Sequence, residues 1–399
     1  DASIDLESED FTDTNRWEPV LPQRELTAVK EGSFWKLVDA DGKAYFIELR
    51  DDGRLHIGSA SINAVALASS LGASVSLGGS TSVSGAGAVA INEVLGSTFA
   101  QLDNSLASIQ GDVTVDASRD SAINASIASS SKALAAGLGG AVGASIGISV
   151  ARNYIGISTD GSALASETAA RIIDGDITAS GRLAVTADGE QTIDARVVSS
   201  STAIAAGLGG GIGFAGSGVY AENMIASDVI ASVEGSAATV DEQLKAAGGV
   251  SILATDRSSI TAVAEASSMA IAVGGIGGGA LSLGVSLSRN LIDSDVLAAI
   301  SNSGSISTPA EVDSDLMVQA TNLSRINAQT SAASFAAGFG GLGGLAVSGA
   351  GAEARNTILG DTRAIIENSV LDVQGNIELH ANASAVIEAI ITSESDAVA

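Results

Sequence analysis

Apolar and small residues alternate with a period of two through several stretches of this chain. Val142, Ala144, Ile146, Ile148 and Val150 interleave with Gly143, Ser145, Gly147 and Ser149. Leu281, Leu283, Val285 and Leu287 interleave in the same way with Ser282, Gly284, Ser286 and Ser288. Period two is the signature of a β-strand, whose successive side chains point to opposite faces. Each predicted strand therefore has one aliphatic face and one nearly flat face. A flat Gly/Ser face lets another sheet approach closely, which is one of the few reasons to tolerate glycine inside a strand. The run Ala135-Ala136-Gly137-Leu138-Gly139-Gly140 is too rich in glycine for a helix, at a cost of about 1 kcal/mol per glycine relative to alanine. Turns and tight corners are expected there.

The pattern repeats. Ile62, Ile123, Ile193, Ile260, Ile326 and Ile387, each followed two residues later by alanine, lie 61, 70, 67, 66 and 61 residues apart. The first five are each followed, at one constant distance, by an asparagine: Asn92, Asn153, Asn223, Asn290 and Asn356. Val115, Val185, Ile252, Val318 and Leu379 stand at a second constant distance before the next Ile. All the length variation thus falls between each asparagine and the next of these aliphatic residues. Such confinement is expected when repeats stack and a variable loop lies on the outside. The asparagines have two readings, a turn residue at the strand end or an internal ladder of stacked amides. The turn is favoured, since the variable segments begin there.

These signals predict an all-β chain: a parallel β-helix, or β-solenoid, built from 61–70-residue repeats, with a small antiparallel β module at the N-terminus. A 61-residue unit would divide into about three rungs of roughly 20 residues, so several coils per repeat are expected. Separate β-sandwich domains are the alternative, disfavoured by the scarcity of aromatics. The predicted division is at residue 56. Residues 1–56 hold Phe11, Trp17, Phe34, Trp35, Tyr45 and Phe46, half of all the aromatics, and residues 57–399 form the array. In the first part, Ser33–Val38, Ala44–Leu49 and Arg54–Ile57 read as strands joined through Asp41-Gly42 and Asp52-Gly53, dipeptides suited to hairpin turns.

Composition narrows the function. At 46% hydrophobic and a mean hydropathy of +0.34 the chain is too apolar for a solvated coil. The net charge of −27 repels nucleic acid and anionic lipid and suits a protein outside the cell in salty or calcium-bearing water. With no cysteine, stability must come from stacking. The chain opens on Asp1 without Met, so any export signal is expected outside it.

The blocks running through Arg152-Asn153, Glu222-Asn223, Arg289-Asn290 and Arg355-Asn356, each followed by a run such as Leu183-Ala184-Val185-Thr186-Ala187, resemble the repeats of giant leukotoxin-type filamentous adhesins of Gram-negative bacteria. Ile4-Asp5-Leu6 through Asp10-Phe11-Thr12-Asp13 to Arg16-Trp17-Glu18 is similar to an Asp/aromatic/Trp element that punctuates such proteins. The resemblance implies a very long protein at the bacterial cell surface, of which this chain is one segment. The Gly-Gly-x-Gly-x-Asp nonapeptide of a calcium β-roll is absent.

Catalysis is hard to assemble, because the only histidines are His56 and His380 and neither has a recognisable partner. The chain is not expected to be an enzyme, and no cofactor is expected beyond calcium. The close carboxylate pairs Asp174/Asp176, Asp293/Asp295 and Asp313/Asp315 could supply oxygen ligands to Ca²⁺, although Asp in turns more often bonds local backbone. Val197 to Ala221 carries no charge, but its glycines favour a buried strand-turn-strand over a membrane helix, and membrane insertion is not expected. The function expected is a structural shaft or spacer of an extracellular adhesin or surface fibre. A self-assembling filament or sheath subunit is one alternative. The other is a glycan- or protein-binding module using Trp17, Trp35 and the variable loops. The partners expected are neighbouring repeats of the same or identical chains, with a surface glycan or protein as a further candidate and nucleic acid excluded.

Overall fold

In a computed structural model the period-two runs form long parallel strands that wind into a flattened β-solenoid. The structure describes residues 60–159, 166–235, 243–309 and 314–399, and ahead of them four strands, Thr27–Glu31, Phe34–Val38, Ala44–Leu49 and Leu55–Ile57. The chain divides into two compact units, Asp1–Ser59 and Ala60–Ala399. The four strands of the first unit pair in sequence order as an antiparallel meander. Thr27–Glu31 adds a strand to the three read from the sequence. Both Asp-Gly dipeptides lie outside the described residues.

In the second unit each coil has three sides. A long strand such as Val113–Gly137 or Leu183–Gly207 runs out in a first sheet. A glycine turn reverses it, and a return strand such as Gly140–Ile155 or Gly210–Glu234 runs back in a second sheet. A short strand such as Asp176–Ala179 in a third sheet closes the coil. Twenty-five residues in Val113–Gly137, at about 3.3 Å each, make a strand about 80 Å long.

Strand partners lie one whole repeat apart: Ile123 pairs with Ile193, Ile193 with Ile260 and Ile260 with Ile326. Each repeat is therefore a single coil, and the expected division into three rungs is wrong. The repeat is long because its strands are long. The sequence anchors become columns. Ile123, Ile193, Ile260 and Ile326 are 0–1% exposed and stack in the middle of the core, while Val115, Val185, Ile252 and Val318 stack in the wider part beside the third sheet. Length differences arise at four places, between Ile155 and Glu167, between Glu234 and Gln243, by one residue between Ser301 and Ile306, and between Thr308 and Leu316. The single variable region read from the sequence is thus several separate corners.

The core tapers from the third sheet to the glycine turn. Isoleucine, valine and leucine together with alanine fill the wide end, and alanine alone fills the buried clusters near the turn. Here the flat face of each return strand points inward and the aliphatic face points out: Gly147 and Ser149 are buried while Ile146 is 58% and Ile148 51% exposed. A Cβ on Gly143 would lie 2.9 Å from the Ile204 carbonyl oxygen and one on Gly147 2.8 Å from that of Ser200. At these two positions the sheets meet closer than a Cβ allows, which glycine permits. At the corner into the third sheet, Asn104, Asp174, Asn302 and Asn368 have φ of 46° to 51°. Gly235 takes the equivalent place in the third coil. All five are residue types that tolerate the left-handed region.

Candidate functional site

The five repeat asparagines form one column. Strands continue past them in Gly210–Glu234 and Gly278–Ser301, so they do not end strands or make turns, and the turn reading is corrected. Each side chain points inward, and the Nδ2 of each donates to the Oδ1 of the next. The distances are 2.7 Å from Asn92 to Asn153, 2.7 Å from Asn153 to Asn223, 2.8 Å from Asn223 to Asn290 and 2.7 Å from Asn290 to Asn356. Asn153 and Asn223 are fully buried and Asn290 nearly so. An amide carries both a donor and an acceptor, so one residue type can bond to the coil above and the coil below.

A second polar seam runs between the two wide core clusters. Its column holds Arg119, Gly189, Asp256 and Asn322 in successive coils. Arg119 Nε donates to Ser121 Oγ at 3.1 Å, its Nη1 reaches the Gly96 carbonyl and Ser166 Oγ, and burial lowers its pKa to about 10. Asp256 is fully buried. It accepts from the Ser258 amide at 3.1 Å, from Ser258 Oγ at 2.9 Å and from Ser324 Oγ at 3.3 Å. Burial pushes its carboxyl above the ordinary range, against those bonds. In the next coil Asn322 Oδ1 accepts from the Ser324 amide and hydroxyl at 3.0 and 2.6 Å, so one neutral amide oxygen suffices in this column.

A pH dependence follows from Asp256. Between the ordinary carboxylate range and the raised folded value, the native state holds a proton that the unfolded chain has released, so stability falls as pH rises through that window. Asp256→Asn is expected to flatten this fall and to raise the thermal midpoint at neutral pH by a few degrees. Melts followed by circular dichroism across acidic and neutral pH check it. Parallel pH profiles for the two proteins would show that Asp256 is not the group responsible.

On the outside, Glu222 is nearly buried among groups that hold its charge. Tyr154 Oη donates to it at 2.7 Å, Arg289 Nη1 approaches to 3.3 Å and Arg152 Nε to 3.7 Å, while the Arg152 guanidinium lies 5.9 Å from the Tyr220 ring centroid. Burial first, then this carboxylate, raises the Tyr154 and Tyr220 phenols.

The described carboxylates of these pairs lie at different places on the coil. Asp174 is a left-handed corner residue and Asp176 starts a third-sheet strand. Asp293 and Asp295 face outward from the second sheet, where Asp295 Oδ1 accepts from the Asp361 amide at 2.7 Å. Asp315 Oδ1 accepts from the Asn376 amide at 2.6 Å, and Asp313 lies outside the described residues. Among the described residues no three His, Asp or Glu side chains form a metal-binding group. Trp17 and the side chain of Trp35 also lie outside the described residues, as do parts of the variable loops at 160–165, 236–242 and 310–313. A shallow trough of about 660 Å³ along the glycine turns is lined by Leu77, Leu138, Leu208 and Val273 and carries no acid–base group. What sequence reasoning missed was the Arg119/Asp256/Asn322 seam, whose only signal was a shared place in the repeat.

Comparison of the chain with protein-family models, with curated proteins and with solved structures returned no match.

Proposed function

We propose that residues 60–399 are a structural segment, a shaft or spacer, of an extracellular bacterial fibre or adhesin. The carrying observation is the unbroken asparagine column, which bonds five coils through their interior. Parallel ladders flank it over the whole length of each strand, so tension along the coil axis is shared by many hydrogen bonds at once. The strongly acidic, lysine-poor, cysteine-free composition supports a place outside the cell, where self-repulsion keeps a long protein soluble. At about 4.8 Å per coil, five coils rise only about 24 Å, so one segment is a blade and a shaft needs many in series.

The test is an in-register tandem. Ala73 and Val398 hold equivalent places in the first sheet, so splicing Val398 onto Ser74 continues the winding. Small-angle scattering and electron microscopy should show the doubled protein thickened along the axis by about 24 Å with its width unchanged. Two independent bodies joined by a hinge would overturn the shaft.

A further inference from the structure

The outer face of the second sheet is ridged. At one level, the outward residues of the first to fifth coils are Gly85, Ile146, Gly216, Leu283 and Gly349. Two residues further along each strand they are Gly87, Ile148, Gly218, Val285 and Gly351. At these two levels coils two and four stand as ridges and the coils beside them as furrows, while two residues earlier the large side chains are Val83, Phe214, Leu281 and Val347 and the small one is Ala144. Ile146, Ile148, Leu283 and Val285 are 47–58% exposed. A Cβ on Gly216, Gly218 or Gly351 would meet nothing within 4 Å, and none of the three has a left-handed φ. Nothing in the chain's own packing asks for glycine at these places, and glycine weakens an extended strand. Glycine that is open on a strand face marks the close approach of something else.

We propose that this face docks on the same face of a second copy, the two copies running antiparallel with ridge seated in furrow. A two-fold axis lying along the strands between the second and third coils places coil two over coil three and coil one over coil four. Both ridges then meet furrows. An even offset would set ridge on ridge, so the alternation also selects the register. Nine residues at about 3.3 Å across the four overlapping coils at about 4.8 Å give about 570 Å² per copy, the lower end of a specific interface against the about 800 Å² per partner of a standard one. Charge permits it, since Ser80–Asn92, Ala133–Ala151, Val197–Ala221, Ala266–Ser288 and Ile326–Ala352 contain no charged residue. The acidic side chains lie elsewhere on each coil, so the faces meet without bringing them together. A lipid surface would accept the ridges but gives no reason for the furrows.

Sedimentation velocity over a concentration series of the full chain tests this, and the wild type should pass from monomer to dimer. Gly216→Val with Gly218→Val fills the furrow of the third coil and should weaken the dimer about tenfold or more, with the thermal midpoint of the monomer unchanged or raised. Ile146→Ser with Ile148→Ser removes a ridge and should weaken the dimer without touching the glycines. This second variant carries the test if the first does not fold. A wild type that stays monomeric, or a dimer indifferent to both variants, overturns the proposal. Flotation of a monomer with phosphatidylcholine vesicles would overturn it in favour of lipid. Each of these outcomes is independent of the tandem-segment result, because a blade can dimerise whether or not it continues into a shaft.

Discussion

Asn223→Leu is expected to lower the stability of the solenoid by about 2–6 kcal/mol, from two buried amide groups stranded at about 1–3 kcal/mol each. Leucine matches asparagine in branching and number of side-chain heavy atoms but is bulkier, so some crowding adds to the loss of hydrogen bonds. The Asn153 Nδ2 loses its acceptor and the Asn290 Oδ1 loses its donor, both inside the column. Against a typical total of about 5–15 kcal/mol this is a large fraction. Asn92→Ala at the end of the column is expected to cost about 1 kcal/mol, because Asn92 makes a single bond in the column and is 8% exposed. Asn223→Asp adds a control. Its carboxylate still accepts from Asn153 but cannot donate to Asn290 when ionised, so its deficit should shrink in acid. Urea unfolding of the three variants decides, and an equal loss for Asn223→Leu and Asn92→Ala would mean that the column does not act as a ladder.

The constant distances between Ile, Asn and the preceding aliphatic residue were legible because each is the sequence image of a column in register. Their meaning was harder to read. Asn153 looks like a strand end, since variable sequence follows it, yet the equivalent Asn223 sits in mid-strand of Gly210–Glu234. One coil per repeat was hidden because 61–70 residues exceed an ordinary coil, and only pairing register reveals strands of 25 residues. The left-handed corner at Asn104, Asp174, Asn302 and Asn368 was present as letters, but unequal insertions put it out of phase with the anchors. That corner role also explains Asp174, which sequence spacing had offered as a metal ligand. Alternation announced two faces to each return strand without saying which lies inside. Hydrophobicity argues for the aliphatic face, and sterics overrule it here. The inward space admits only glycine, alanine and serine along much of the narrow end, while the aliphatics are displaced outward, where a partner can bury them.

That inversion yields the second large effect. Gly147→Val is expected to destabilise the monomer by about 3 kcal/mol, whereas Gly218→Val, two-residue alternation notwithstanding on an equivalent strand, is expected to be neutral or stabilising. Gly147 faces inward, and a Cβ there would stand 2.8 Å from the Ser200 carbonyl oxygen and 2.9 Å from Ser199 Oγ. The obstacle is backbone in the middle of Leu183–Gly207, held by parallel ladders to the strands on both sides, so it cannot retreat without parting several coils. Gly147→Ala already places the offending atom and should lose stability with the same sign, which separates steric conflict from side-chain size. Gly218 faces outward into open space, and valine there gains strand preference at no steric cost. Thermal and urea unfolding at concentrations where the chain is monomeric compare the three directly. Equal losses at Gly147 and Gly218, or a loss at Gly218 alone, would place the flat face outside and with it undo the taper, the close sheet contact and the ridged outer surface.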